Sequence, residues 1–330
     1  MANCTAAWQP FGKTLQQGAH HRITILASPR RCIMSSERPP TLDATAAERW
    51  LQRPRQESAW LHEEVARRMV DRLGWIRLQP ASWMHWEPLL GGRQAHAALR
   101  ARYPRASALV GGHKVSQDWA MLAPRRPWWH PLAWRQSAPA QPDPKGVEML
   151  WANMALHMAA DPQALIERWH QQLAVGGFLM FSCLGPDSLH ELRGLYAAQG
   201  WPPPAHEFTD MHDWGDMLVQ AGFAEPVMDM ERIELSFATP ERLLQELRGL
   251  GRNLHPGRFT ALRSRRWLSS LHQALLQLPR TDEGQLKLTF EVIYGHAFKP
   301  APRFAMKEQT VLPLEQLRES LRRDKPDPSR

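Results

Sequence analysis

The chain has 330 residues, of which 43% are hydrophobic and 22% are charged, a composition typical of a globular protein with a sizeable core. No apolar run approaches the roughly 20 residues of a membrane-spanning helix, which argues against an integral membrane protein. The formal net charge of +8 indicates an anionic partner without naming its class.

The three cysteines are odd in number and far apart in the chain, at positions 4, 32 and 183. That spacing argues against both a disulfide framework and a structural zinc site, and it fits a reducing cytoplasmic compartment. The scattered histidines also lack the paired spacing of metal ligands, so we expect no metal site.

The two ends of the chain differ in composition from its middle. Residues 1–36 contain no acidic residue, and we expect 1–40 to be a disordered extension, with Met34 as the true start. A single domain is predicted over 41–300, followed by a polar tail over 301–330. Six prolines between 124 and 146 predict a long loop within that domain.

The first half of the domain carries moderate structural signals. Apolar residues at helical spacing from Glu57 to Leu73 predict a helix, and Gly74 follows as its C-cap. Short apolar runs predict strands over 81–86 and 107–110, with a helix ending at Arg102 between them.

The signals become stronger after the proline-rich segment. Apolar runs and alternation predict strands over 147–151, 178–183, 227–230 and 286–298. Capping signals and apolar spacing predict helices from Asp161-Pro162 to Gly176, from a Ser188-x-x-Glu191 capping box, from His212 to Gly222, and over 240–250 and 261–278. Strands that alternate with helices predict an α/β domain with a doubly wound parallel sheet.

Several blocks of sequence resemble one family of enzymes. The run Val147-Glu-Met-Leu-Trp-Ala-Asn-Met-Ala-Leu-His157 resembles the fourth-strand motif of class I S-adenosylmethionine methyltransferases, and the glycine pair with an apolar strand over 175–182 resembles the next motif. The blocks over 181–193, 208–229 and 290–300 then look like the biotin-pathway malonyl-acyl-carrier-protein O-methyltransferase family. The resemblance covers nearly half of the chain.

This resemblance implies a seven-stranded, Rossmann-like sheet and methyl transfer from S-adenosylmethionine to the free carboxylate of malonyl-acyl carrier protein in biotin biosynthesis. Asn153, at the end of a strand, is expected to contact the cofactor, because ligands of such sheets bind beyond the carboxyl ends of the strands. Arg193, His212, Tyr294 and His296, taken from the matching motifs, are the candidates for orienting the substrate carboxylate.

The family's cofactor motif, Asp-x-Gly-x-Gly-x-Gly, is altered in this chain. The corresponding positions are His85, Glu87, Leu89 and Gly91, and Gly92 follows. No acidic residue lies over 111–114, where the resemblance places a ribose ligand. Either Glu87 and the backbone at Gly91 and Gly92 form a modified pocket, which is the main expectation, or the domain has lost the cofactor and only binds a carrier protein or another acidic partner.

An arginine-rich stretch over 248–280 has no acidic residue. We expect it to lie on one exposed surface near the mouth of the site, where it would suit an acidic carrier protein. Nucleic acid is the less favoured partner, because no groove-reading motif is present. The sequence does not indicate the oligomeric state.

Overall fold

A mixed six-stranded sheet forms the centre of the domain in a computed structural model that describes residues 42–55, 57–122 and 144–302. The strands are β1 (Ser82–Trp86), β2 (Ser107–Gly111), β3 (Val147–Ala152), β4 (Leu173–Leu184), β5 (Ala224–Phe237) and β6 (Leu286–Phe298). Their order is β2-β1-β3-β4-β6-β5; the first four pair in parallel and β6 is antiparallel to both its neighbours.

The predicted α/β class is confirmed, but a seventh strand is not, since the described residues contribute six strands to this sheet. Most of the predicted proline-rich loop, over 123–143, lies outside the described residues. So do the predicted extension over 1–40 and the tail from residue 303 onwards.

Ten helices accompany the sheet in the described residues. They are α1 (Ala44–Leu51), α2 (Trp60–Arg72), α3 (Pro88–Gly91), α4 (Arg93–Arg102), α5 (Val115–Leu122), α6 (Pro162–Gln172), α7 (His190–Ala198), α8 (Met211–Gln220), α9 (Pro240–Leu250) and α10 (Arg265–Leu275). Over that same part of the chain, no helix is both long and apolar enough to cross a bilayer.

Two local predictions were wrong for reasons of tertiary contact. The helix opened by Asp161 ends at Gln172, not at Gly176, because the Gly176 N–H donates to the Lys299 carbonyl and extends β4 towards its amino end. The predicted capping box at the start of α7 does not form either. The Ser188 hydroxyl donates to the Glu291 carbonyl at 2.9 Å and accepts from the Glu291 N–H at 3.0 Å, so β6 holds it.

Helices cover both faces of the sheet, and the apolar strands are buried between them. Apolar side chains of α2, α4, α7, α9 and α10 pack on one face, and those of α6 and α8 pack on the other. The prediction that the strands over 147–151 and 178–183 are central and buried is confirmed, with the Glu148 side chain alone turned outward in β3.

The sheet defines where a ligand can bind. After β1 the chain forms β2 on one side of β1, and it then crosses to form β3 on the other side. Open sheets bind ligands in the crevice beyond the carboxyl ends of the strands at such a switch point. The residues after β1, β2 and β3 therefore delimit the expected site.

A buried carboxylate near this edge makes the stability of the domain dependent on pH. Asp118 of α5 is only 3% exposed, and its Oδ2 has no hydrogen-bond partner among the described residues. Burial and then the nearby Glu87 raise the pKa of Asp118 to about 7. The folded state binds this proton more tightly than the unfolded chain, so stability falls as the pH rises from about 4 to about 7.

We therefore expect Asp118→Asn to raise the free energy of unfolding at about pH 8 by on the order of 2 kcal/mol and to change it little at about pH 4. Urea unfolding at both pH values measures the effect, with the exposed Asp282→Asn as the matched control. An equal effect at the two pH values would contradict this account.

Candidate functional site

A central cavity of about 220 Å³ opens beside the carboxyl ends of β3 and β4. Most of its wall is apolar and comes from α2, α7, α9, β6 and the segments after β3 and β4. The apolar lining includes Leu61, Met154, Leu184, Leu192, Leu247 and Phe290, and the polar lining includes His62, His157, His206, Arg248, Arg252 and Asn253. The cavity thus combines an apolar body with cations and imidazoles.

The three histidines of the cavity are neutral at physiological pH. Burial lowers the pKa of His62 and of His206 to about 4, and it lowers the pKa of His157 well below the usual range. No group of three or more potential metal ligands is positioned to hold a metal ion in the part of the chain that the structure describes. These imidazoles therefore act as neutral hydrogen-bonding groups.

Their hydrogen bonds fix which nitrogen carries the proton. The Leu184 N–H donates to His157 Nδ1 at 3.4 Å, so His157 carries its proton on Nε2. His62 Nδ1 lies 2.8 Å from the Leu90 carbonyl and donates to it, which leaves its Nε2 as an acceptor. His157 therefore has an N–H donor at Nε2 and His62 has an acceptor at Nε2, and both residues line the cavity.

Asn153 is fully buried at the end of β3, where the sequence placed it. Its amide nitrogen donates to the His62 carbonyl at 2.8 Å and to the Gly91 carbonyl, and its Oδ1 accepts from the Ser182 hydroxyl at 2.6 Å. Both donors and the acceptor are thus used by protein groups. Asn153 fastens α2, α3 and β4 to one another.

The turn after β1 is filled by buried residues. Glu87 has a left-handed backbone (φ 49°), and the four residues of α3 that follow it are all buried. A Cβ atom built on Gly91 would lie 2.6 Å from the Asn153 carbonyl oxygen, which explains why glycine is required there. In the family motif a glycine at this position lets the backbone lie close to the ligand. In this chain the Gly91 backbone lies close to Asn153 instead.

Gly92 opens helix α4, and that helix terminus is also occupied by protein. Gly92 has φ +131° and lies against Ala66 and Glu63. The Glu63 carboxylate accepts from the Arg93 N–H at 2.8 Å and from the Gln94 N–H at 3.1 Å. An external anion is therefore not needed to satisfy this helix terminus.

We expect Gly91→Val to lower the free energy of unfolding by roughly 2–3 kcal/mol, because the new side chain would press on the Asn153 main chain. Chemical denaturation measures the loss. The matched control is Gly194→Ala in α7, where an added Cβ meets no atom within 4 Å, and which should be neutral or slightly stabilising. A fully stable Gly91→Val variant would show that the turn can open.

Of the four predicted cofactor residues, Glu87 lines a cavity. This cavity has a volume of about 280 Å³ and lies beyond β1 and β2, among Trp86, Glu87, His113, Asp161 and Arg168. Glu87 Oε1 accepts from the His113 N–H at 2.5 Å and lies 2.8 Å from His113 Nδ1. We call this space the switch-point cavity.

The switch-point cavity fits the nucleoside end of S-adenosylmethionine. A buried carboxylate beside a strand end suits ribose hydroxyl groups, and the Trp86 ring and the Arg168 guanidinium, 5.0 Å apart, give it a flat wall. Towards Asn153 the crevice is filled by α3. The switch-point cavity therefore suits the nucleoside part of the cofactor, and Glu87 is the polar residue of the cavity that would contact it.

Two of the predicted substrate residues, Arg193 and His212, bond to groups close to them in the chain. Arg193 donates to the Pro186 and Ser188 carbonyls, and burial lowers its pKa. The side chain of His212 is 80% exposed at the start of α8 and pairs with Asp210 at 2.7 Å. Neither residue lines the central cavity.

The other two predicted substrate residues, Tyr294 and His296, lie in β6. The Tyr294 hydroxyl donates to Glu231, and the Arg72 guanidinium lies 3.7 Å from the centre of its ring; burial and Glu231 raise the pKa of Tyr294. His296 pairs with Met180, about 13 Å along β4 from its carboxyl end. The structure thus disperses the four predicted substrate residues, and their role stays a prediction.

The arginines over 248–280 do not share one surface. Arg248 and Arg252 line the central cavity, and Arg258 pairs with Asp43 at 2.7 Å. Arg263 stacks on Trp267 at 4.3 Å. Exposed positions are held by Arg265, Arg266 and Arg280.

The strand order, the helices on both faces and the crevice beyond β1 and β3 define a class I methyltransferase fold. The chain is 38% identical over 266 residues to the malonyl-[acyl-carrier protein] O-methyltransferase of Gallionella capsiferriformans, covering 74% of this chain and 86% of that relative. It is 36% identical to the protein of the same name from Laribacter hongkongensis, covering 74% and 85% of the two chains. The chain belongs to the malonyl-[acyl-carrier protein] O-methyltransferase family, which confirms the resemblance read from the sequence.

Other comparisons are less specific. No protein-family model matches the chain. Among solved structures, a methyltransferase-like protein of Bacillus halodurans has a TM-score of 0.40 at 13% identity, covering 70% of this chain and 99% of that one. The YcgJ protein of Bacillus subtilis has a TM-score of 0.41 at 9% identity, covering 73% and 100%.

Proposed function

We propose that the protein transfers the methyl group of S-adenosylmethionine to the free carboxylate of malonyl-acyl carrier protein, as a cytoplasmic step of biotin biosynthesis. The observation that carries this proposal is the 38% identity to a malonyl-[acyl-carrier protein] O-methyltransferase across 86% of that relative's length. The central cavity supports it, because an apolar space with cations at its wall suits an acyl group that ends in a carboxylate.

Glu87 is the residue we assign to the cofactor, with its carboxylate towards the ribose hydroxyl groups in the switch-point cavity. When bound, S-adenosylmethionine supplies a methyl group made electrophilic by its positive sulfur. Gly91 and Asn153 support this site by holding α3 against the end of β3, and Gly92 packs against α2.

The central cavity positions the methyl acceptor. The Arg252 guanidinium balances the negative charge of the malonyl carboxylate, and His157 Nε2–H donates a hydrogen bond to one of its oxygens. A carboxylate is already a nucleophile at neutral pH, so no protein group has to remove a proton. The contribution of the chain is to orient the acceptor and to exclude water with its apolar walls.

The exposed arginines at the start of α10 suit an acidic carrier protein. Arg265 and Arg266 are exposed, and the net charge of +8 favours approach of an anionic partner. This partner, rather than nucleic acid, agrees with the names of the relatives.

Calorimetric titration with S-adenosylhomocysteine tests the cofactor site. We expect binding that Glu87→Gln weakens by about tenfold, because one charged hydrogen-bond acceptor is lost, and that the exposed Glu48→Gln leaves unchanged. No binding at millimolar ligand would overturn the proposal and leave a carrier-binding protein without catalysis.

A further inference from the structure

A second cavity, of about 240 Å³, adjoins the central cavity and shares His62, Arg248 and Arg252 with it. The segment after α1 forms one wall and the end of α9 forms another, while Leu89 and Leu90 of α3 form part of its surface. Four guanidinium groups line it, those of Arg53, Arg55, Arg248 and Arg252. We call it the arginine cavity.

The arginine cavity has an excess of positive charge. No carboxylate in residues 42–55, 57–122 and 144–302 lies within 4.0 Å of any of its four guanidinium groups, although the exposed Glu57 is part of its wall. Burial and then the neighbouring cations Arg53 and Arg248 lower the pKa of Arg252. Burial lowers the pKa of Arg55, and the more distant carboxylates of Glu87 and Asp118 partly offset that effect. Because no carboxylate pairs directly with the four guanidinium groups, their mutual repulsion favours an anionic ligand.

Arg55 is held in place before any ligand arrives. One of its terminal nitrogens donates to the Trp50 carbonyl at 3.0 Å, and the guanidinium lies 4.5 Å from the centre of the Trp50 ring. Its Nε is buried without a hydrogen-bond partner in the described part of the chain. A fixed guanidinium with an unused buried donor is a group suited to bind an oxyanion.

We propose that the arginine cavity is a subsite for the phosphate of a pantetheine arm, bound by Arg55 with Arg53 and Arg248. This inference rests on the proposed function, in which the malonyl group at the tip of such an arm enters the central cavity. Arg252 lines both cavities, and the proposed function assigns it to the acyl end. A guanidinium fork matches phosphate oxygens in geometry as well as in charge.

Binding without any methyl donor tests this subsite separately from catalysis. Malonyl-phosphopantetheine and malonyl-pantetheine, which differ only in the phosphate, are titrated calorimetrically into the full chain. We expect the phosphate to improve the affinity by about 30-fold, and Arg55→Gln to reduce that preference to about threefold. The matched control Arg49→Gln, at an exposed position of α1, should keep the preference.

Each outcome bears on one claim. Equal binding of the two compounds, binding of neither, or the same loss in the Arg49 control would overturn the subsite. If Arg55→Gln does not fold, the exposed Arg53→Gln provides the test, with an expected reduction of the preference by about threefold. A preserved phosphate preference in a protein that transfers no methyl group would refute the proposed function and leave the subsite standing.

Discussion

Replacement of Arg252 with glutamine should lower kcat/KM for malonyl-acyl carrier protein by about 100-fold, since the acceptor carboxylate would lose its charged partner in an apolar cavity. Arg252 makes no ion pair that its removal would break among the residues described, so the fold should be largely retained. Initial rates with carrier-linked and phosphopantetheine-linked malonyl groups measure the effect.

The specificity of that loss separates a substrate contact from general damage. The wild-type chain should bind malonyl-phosphopantetheine more tightly than the acetyl compound, which lacks the carboxylate, and Arg252→Gln should remove this preference while keeping the preference for phosphate. The exposed Arg265→Gln should leave the malonyl preference intact. An unchanged malonyl preference in Arg252→Gln would place the carboxylate elsewhere.

The second large effect concerns the folded state. Asn153→Asp should lower the free energy of unfolding by about 3 kcal/mol or more, because a buried carboxylate would replace the amide that donates to the His62 and Gly91 carbonyls. The acceptor oxygens would then face one another without a proton between them. Urea unfolding at neutral pH, followed by circular dichroism, measures the loss.

Two comparisons support this assignment. Ser182→Ala removes only the hydroxyl that donates to Asn153 Oδ1 at 2.6 Å, and should cost a smaller amount, about 1–2 kcal/mol. Asn253→Asp makes the same chemical change at a more exposed site and should lower the free energy of unfolding by less than about 1 kcal/mol. If Asn153→Asp unfolded like the wild-type chain, the buried network would not be what joins α3 to β3.

The strands could be predicted where burial on both faces left a continuous apolar run, as in β3 and β4. The prediction for β5, over 227–230, was too short, because most side chains of this strand are exposed or half-buried and charged residues interrupt its apolar positions. The Ser188 capping box failed because a strand far along the chain competes for its hydroxyl. A pattern of neighbouring residues cannot show that Glu291, 103 residues away, takes the Ser188 hydroxyl.

In the site, likewise, the positions of residues in the sheet could be predicted, whereas their side-chain contacts could not. The rule that ligands bind beyond the strand ends placed Asn153 at this edge of the sheet, because it depends on strand order alone, and the register of the family motif placed Gly91 there. That the two bind each other depends on the buried turn that replaces the glycine-rich one. His62, His157 and His206 come from three separate segments, so no spacing in the sequence could have grouped them.

The central claim is that this chain methylates a malonyl carboxylate in spite of its altered cofactor turn. Mass spectrometry of malonyl-acyl carrier protein incubated with the enzyme and S-adenosylmethionine tests it most directly. We predict the mass of one added methyl ester on the malonyl group, absent from acetyl-acyl carrier protein and formed much more slowly when Arg252 is replaced with glutamine. A carrier protein that stays unmethylated, although it binds the folded enzyme, would contradict the claim.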